Sequence, residues 1–250
     1  MNILGINISE LNWPELIRKI KEFLNDGRQH YIVTPNPEII LASHHDEEFF
    51  YILNQADLAP ADGFGLKIAA RLGAKNLPRI SGADLSPEIL KLAEENKQRV
   101  AIINWVQGLS NKQELTSALA KKYPNLKFLI IATEKKSHLS DSELNELNNF
   151  QPLILFTALG APDQEKIIWH NLKKIPSLRL ALGVGGTFDF LTKKAKRAPK
   201  ILRTLGLEWL WRLLKQPKRI KRIIRATVVF GAKVIAWRFI HPLRYRPNVA

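Results

Sequence analysis

The sequence predicts an α/β protein, with a doubly wound, mostly parallel, Rossmann-like sheet followed by a basic helical appendage. Short apolar runs suited to buried strands recur along residues 1–195, and amphipathic helical patterns separate them. Charge sets off the appendage. Residues 190–250 hold 17 Lys and Arg against one acid, Glu208, whereas the first 189 residues hold 21 bases and 22 acids. The formal charge of +15 therefore sits at one end, and a near-neutral body with a basic, aromatic-studded tail suits an anionic partner. With 250 residues, 46% of them hydrophobic, the chain can bury a full core. A body over 1–195 and an appendage over 196–250 are expected.

Ile3 to Ile8 reads as the first strand. A helix follows, with Pro14 in its first turn, Leu16, Ile17, Ile20 and Leu24 on one face and Gly27 at its end. His30 to Thr34 reads as a strand, Glu38 to Leu41 opens a helix, Ala56 to Ala61 is a weaker strand and Gly65 to Leu72 is helical. Further strands are expected at Val100 to Asn104, Phe128 to Ala132, Leu153 to Ala158 and Leu178 to Val184. Strands alternating with helices imply right-handed crossovers and parallel pairing.

In the appendage, Leu207, Leu210, Trp211 and Leu214 recur at helical spacing, and Ile220, Ile223, Ile224 and Val228 continue after Pro217. Lys215, Lys218, Lys221, Arg222 and Arg225 fall outside those stripes. A basic amphipathic helix carrying tryptophan suits an anionic headgroup layer; packing of the stripe on the body is the other reading. Residues 226–240 are strongly apolar but hold Lys233 and Arg238, and a span takes about 20 apolar residues, so an interfacial or docking helix is expected. The absence of cysteine excludes disulfides, thiolate metal sites and cysteine nucleophiles, and suits a reducing cytoplasmic setting. Residues 1–13 carry no basic segment followed by an apolar run, so no signal peptide is expected.

Ligands of such a sheet bind beyond the carboxyl ends of the strands. Four clusters fall there: Thr34-Pro35-Asn36-Pro37-Glu38, Ala61-Asp62-Gly63-Phe64-Gly65, Leu159-Gly160-Ala161-Pro162-Asp163-Gln164-Glu165 and Gly183-Val184-Gly185-Gly186-Thr187-Phe188-Asp189. Each could be ordinary turn and cap chemistry; four at one sheet edge point to a site. No G-x-x-x-x-G-K-S/T loop, H-E-x-x-H, G-x-S-x-G or Asp-x-Asp pair is present, so no metal and no cofactor is expected. His44 and His45, beside Asp46, Glu47 and Glu48, read as a solvated helix start rather than a metal site. A carboxylate that removes a proton from an attacking hydroxyl remains, with fixed donors for a departing diphosphate. Asp62, between Gly63 and the preceding strand, is the best such carboxylate. The Gly183 to Gly186 turn could present amides to phosphate.

These stretches, with Arg79-Ile-Ser-Gly-Ala-Asp84, Arg197-Ala-Pro199, Gly206-Leu-Glu-Trp-Leu-Trp-Arg212 and Pro217-Lys-Arg-Ile-Lys-Arg222, resemble the WecG/TagA/CpsF family of bacterial glycosyltransferases over nearly the whole chain. The resemblance implies a metal-independent, inverting transfer of an N-acetylmannosamine-type sugar. The donor would be a UDP-sugar, and the acceptor a sugar linked to undecaprenyl diphosphate. It implies work at the inner face of the cytoplasmic membrane, in cell-envelope polysaccharide or teichoic acid synthesis. Carried over by motif, Asp62 is the candidate base, and Thr34, Asn36 and Gln164 would position sugar and acceptor. Gly63, Gly185 and Gly186 would line the same pocket, and Glu165 is either a candidate second acid or a first-turn carboxylate that complements its helix dipole. Arg79 and Asp84 are either a structural pair or acceptor contacts. Arg212, Arg219 and Arg222 would neutralise the diphosphate in place of a metal. Where the family has a glycine pair, this chain reads Asn104-Trp105-Val106-Gln107-Gly108, so Trp105 and Gln107 either reshape the donor pocket or join the core.

Two rival readings remain. Binding of nucleic acid by the basic tail lacks a zinc-finger or RNP-type signature, so no nucleic-acid partner is expected. An oxidoreductase built on the Gly183 to Gly186 turn lacks G-x-G-x-x-G spacing. The expected partners are the UDP-sugar, the lipid-diphosphate-linked acceptor and an anionic membrane surface, with a homo-oligomer left open.

Overall fold

The computed structural model describes residues 1–204, 207–215 and 220–240, apart from the side chains of Lys200, Thr204, Arg212, Lys215, Lys221 and Phe239. The chain opens with a hairpin of β1 (Asn2–Ile3) and β2 (Ile6–Asn7), followed by α1 (Trp13–Asn25) and the first strand of the main sheet, β3 (His30–Ile32). Three helices come next, α2 (Pro37–Ser43), α3 (Glu47–Asn54) and α4 (Phe64–Arg71), and then α5 (Gly82–Glu95). Regular alternation runs through β4 (Arg99–Trp105), α6 (Lys112–Lys122), β5 (Lys127–Thr133), α7 (Asp141–Phe150), β6 (Ile154–Ala158), α8 (Asp163–Asn171), β7 (Leu180–Gly183) and α9 (Thr187–Leu191). The basic region adds α10 (Lys200–Thr204), α11 (Glu208–Lys215) and α12 (Ile220–Ile224). A π-helical turn, Arg225–Val229, then leads into α13 (Phe230–Ile240).

The main sheet has the order β3-β7-β6-β4-β5, and every pairing in it is parallel. Both faces are buried because residues alternate across the strands. Tyr31, Ala101, Ile103, Leu155 and Ala181 enter one core cluster, while Ile32, Val100, Ile102, Phe156 and Leu182 enter the other. The doubly wound expectation is met. From β4 the chain passes to β5 on one side, and later returns with β6 on the other. The connections after β4 and β6 therefore diverge and open a crevice at their carboxyl ends.

Two expected strands are corrected. Ile3 to Ile8 is a hairpin outside the main sheet, because Leu4 (φ 51°) and Gly5 (φ 84°) take left-handed conformations that reverse the chain. Ala56 to Ala61 makes isolated bridges only, Ile32 with Leu58 and Ser9 with Pro60. Pro60 has no N–H to give a ladder, so this segment lies along β3 without becoming a strand.

The helices nearest the crevice are fixed by local capping. Asn36 accepts from Ile39 N at 3.0 Å to start α2, and Ser81 accepts from Asp84 N at 3.2 Å to start α5. Asp46 caps α3 and pairs with Lys166 at 2.8 Å, and Glu48 pairs with Lys166 and His170, so these two carboxylates beside His44 and His45 are engaged in the fold. Among the described residues, no three His, Cys, Asp or Glu side chains gather to hold a metal.

The last helices divide their apolar residues between two directions. Ile223, Phe230 and Val234 are buried against the body, and the last two join its core beside α2 and α4. Ile220, Ile224, Val228 and Ile235 face outward and are exposed. The single stripe expected from spacing thus splits into a docking side and a solvent side. No helix of the described residues is long and apolar enough to cross a membrane.

Candidate active site

A cavity of about 820 Å³ occupies the crevice, lined by Thr34 and Asn36 after β3, Trp105 and Leu109 around the end of β4, Gly160 and Gln164 after β6 and Val184 to Phe190 after β7. Six basic side chains, Lys135, Lys194, Lys196, Arg197, Arg222 and Arg225, share its wall with Glu38, Asp62, Asp189 and Glu208. A second, smaller cavity of about 350 Å³ lies between α4 and α12–α13 and is mainly apolar. Asp62, Asn36, Glu38, Glu208 and Arg222 line both cavities, so the candidate base stands where the two meet.

Asp62 is held there by its backbone. Its N–H donates to Pro35 O at 2.8 Å, and Ile80 N donates to the neighbouring Ala61 O at 2.8 Å. Gly63 follows at φ 100°, a conformation open to glycine and strained for other residues, and starts α4. A Cβ on Gly65 would sit 2.7 Å from Pro37 Cγ, so this glycine lets α4 approach α2. The Asp62 carboxylate is about a quarter exposed, and Arg79 Nη2 lies 3.9 Å from its Oδ1. Arg79 also donates to Glu208 Oε2 at 2.6 Å. Glu208 is the one acid in the basic region, and its singularity in the sequence was the signal that could have marked it.

Asp84 resolves into a fastening point rather than a cavity wall. It takes an ion pair from Arg197 at 2.6 Å and another from Arg203 at 3.2 Å, and accepts from Ser81 Oγ at 2.6 Å. The Ser81 hydroxyl and Arg197 hold its carboxyl below the usual aspartate range, against the opposing effect of burial. Arg222 reaches back to Glu38 through Nε at 2.9 Å and through Nη2. These contacts join appendage to body at three places around the cavities. Arg212 lies on α11, but its side chain is outside the described residues, as is Arg219 altogether.

Gln164 knits two site loops together. Its Oε1 accepts from Gly185 N at 2.8 Å and Gly160 N at 3.2 Å, and its Nε2 donates to Glu165 Oε1 at 2.6 Å. This approach is possible because Gly183 lacks a side chain: a Cβ there would meet Gln164 Nε2 at 2.7 Å. Gly185, at φ 51°, then turns the chain into α9. The Gln164 amide is 3% exposed and is spent on the fold of the β6 and β7 connections. It sets the shape of the floor of the cavity.

Glu165, the candidate second acid, lies outside both cavities. It is fully buried behind Gln164 and leaves Oε2 without a hydrogen-bond partner. Burial pushes its carboxyl up to about 8, only partly offset by the hydrogen bond from Gln164. It supports Gln164 from the protein side.

Asp189 lines the larger cavity. Its Oδ1 accepts from Ser110 Oγ at 2.7 Å, and its Oδ2 stands 3.0 Å from where a Cβ of Gly186 would be. Thr34 is 5% exposed on the opposite wall, with its Oγ1 close to Gly82. Trp105 stands between the core and the larger cavity, with Lys135 Nζ 4.5 Å above its ring centroid. Gln107 is turned to Glu134 at 3.3 Å.

Residues 1–243 match the profile of the glycosyl transferase WecG/TagA/CpsF family. Among curated relatives, an N-acetylglucosaminyldiphosphoundecaprenol N-acetyl-beta-D-mannosaminyltransferase of Bacillus subtilis (strain 168) is 31% identical over 224 residues, 85% of each chain. One of the same name from Staphylococcus aureus (strain MRSA252) is 31% identical over 241 residues, 94% of this chain and 91% of the relative. A sheet-edge cavity built from the motif residues and a match over nearly the full chain agree: the protein is a glycosyltransferase and belongs to the WecG/TagA/CpsF family.

Proposed function

We propose that the protein transfers an N-acetylmannosamine-type sugar from a UDP-sugar to N-acetylglucosaminyl-diphosphoundecaprenol, with inversion and without a metal ion. The observation that carries this reading is Asp62 on the boundary between a cation-lined cavity and an apolar one. The names of the relatives supply the sugar and the acceptor. Asp62 takes the proton of the acceptor hydroxyl as that oxygen bonds to the anomeric carbon. The bond from that carbon to the diphosphate breaks on the opposite face, and UDP departs with the electron pair. Arg222, Arg225, Arg197 and Lys196 on the wall offset the charge that develops, and Arg212 and Arg219 are assigned the same work. Thr34, Asn36 and the Gly185-Gly186 turn shape the space for the sugar and diphosphate.

The test is UDP release across several UDP-sugars with a lipid-diphosphate-linked N-acetylglucosamine acceptor, with and without a chelator. Release that requires UDP-N-acetylmannosamine and survives chelation is expected. Strict dependence on an added divalent ion would sink the metal-free mechanism.

The outward apolar residues beside a strongly basic surface support peripheral attachment to the inner face of the cytoplasmic membrane. The protein is expected to float with anionic vesicles. Replacing Ile224 and Val228 together by Glu should lower the bound fraction about tenfold or more, since each removes aliphatic carbons that would enter the headgroup layer and adds a charge of the anionic membrane's own sign. Unchanged flotation of that variant would remove the surface from the attachment.

A further inference from the structure

We propose that the apolar cavity between α4 and α12–α13 receives the first isoprenyl units of the acceptor lipid and delivers its sugar to Asp62 from the side away from the donor. This rests on the glycosyltransferase reading above and adds to it a place for the lipid chain.

The cavity is amphipathic in the order such a ligand requires. The polar part of its wall is Asp62, Arg79, Arg203 and Arg222, with Glu208 and Glu38 paired to Arg79 and Arg222, and a diphosphate and sugar would lie against it in exchange for those glutamates. The remaining wall is aliphatic and aromatic: Ala69, Ile223, Phe230 and Val234 are buried or partly buried, and Ile68, Leu72 and Ile235 are exposed at the open rim. A soluble nucleotide has no use for such a wall. The space, about 350 Å³, takes only the beginning of a long prenyl chain, and the rest would leave past the exposed rim toward the lipid phase. The larger cavity is the cation-rich one and suits the nucleotide diphosphate. With Asp62 on the shared boundary, an acceptor hydroxyl entering from the apolar cavity meets a donor anomeric carbon held in the larger one beside the same carboxylate.

Gly231 offers a clean probe. It lies on α13 and lines the cavity, and a Cβ there meets no atom within 4 Å. Gly231→Leu therefore fills space without displacing the fold and removes a glycine from a helix interior. The measurement compares kcat/KM for two acceptors, one with a polyprenyl diphosphate and one with a short water-soluble alkyl diphosphate, both carrying N-acetylglucosamine and both in detergent. The ratio of long-chain to short-chain kcat/KM is expected to fall about tenfold in Gly231→Leu, the size of effect a few methylenes have in an apolar pocket. An unchanged ratio would overturn the proposal, whether both values hold or both fall together. Thermal shift with farnesyl diphosphate supplies a readout that needs no turnover. Stabilisation of the wild type beyond that given by inorganic diphosphate, and lost in Gly231→Leu, is expected; equal stabilisation of both proteins would place the prenyl chain elsewhere. Failure of the wild type to use any mannosamine-type donor would instead bear on the proposed function, leaving the farnesyl result to decide the pocket.

Discussion

Asp62→Asn is expected to lower turnover by about 10² to 10⁴, the range for loss of a general base, with little change in the KM for the donor. The substitution keeps the side chain's shape and leaves untouched the backbone bonds that fix the position, Asp62 N to Pro35 O and Ile80 N to Ala61 O. What it removes is the capacity to accept a proton where the two cavities meet. The contact with Arg79, at 3.9 Å, is long and shared with the closer Glu208 pair, so the appendage stays fastened. A kcat that falls while donor affinity holds would separate this role from ground-state binding. Near-normal turnover in Asp62→Asn would end the assignment and move attention to Asp189, another carboxylate lining the larger cavity.

The site was legible in sequence to the extent that it is built from chain direction. Thr34, Asn36, Asp62, Gln164 and Gly185 follow strands or extended segments that end at one sheet edge, and the strands announce themselves because both faces of a parallel sheet are buried. Roles set by tertiary packing were not legible. Gln164 and Glu165 are adjacent in a polar stretch, yet one knits two loops and the other is sealed behind it, because only the closeness of Gly183 decides which way the pair turns. Helical spacing placed Ile220, Ile223, Ile224 and Val228 on one stripe. The body covers Ile223 alone of these, since α12–α13 lies against α2 and α4 along the Ile223-Phe230-Val234 line. The first apolar run departs from a single strand for a local reason, a left-handed Leu4-Gly5 turn that spacing alone does not reveal.

Stability against urea is expected to decline from about pH 5 to about pH 8 because of Glu165, and Glu165→Gln should abolish that decline. The folded protein holds this carboxyl at about 8, above the ordinary 4.5, chiefly because burial disfavours its charge and secondarily because Asp163 adds a like charge nearby. A group raised in the folded state binds its proton more tightly there than in the unfolded chain. Its contribution is complete below 4.5, is lost as pH rises, and is gone above 8. Between those limits the slope is about 1.4 kcal/mol per pH unit, so the full effect is several kcal/mol, a large share of a typical domain's stability. The carboxylates held low, among them Asp84 and, at about 2, Asp26 and Glu143, act with the opposite sign and only at more acid pH, so they do not mask the trend. Glutamine preserves the shape and still accepts from Gln164 Nε2, but carries no charge to bury at any pH. The two proteins should therefore unfold alike near pH 4.5 and diverge as pH rises, with the variant the more stable. Parallel curves would mean that Glu165 ionises without cost in its buried place, and that Gln164 and the Gly185 turn are held by a charged partner.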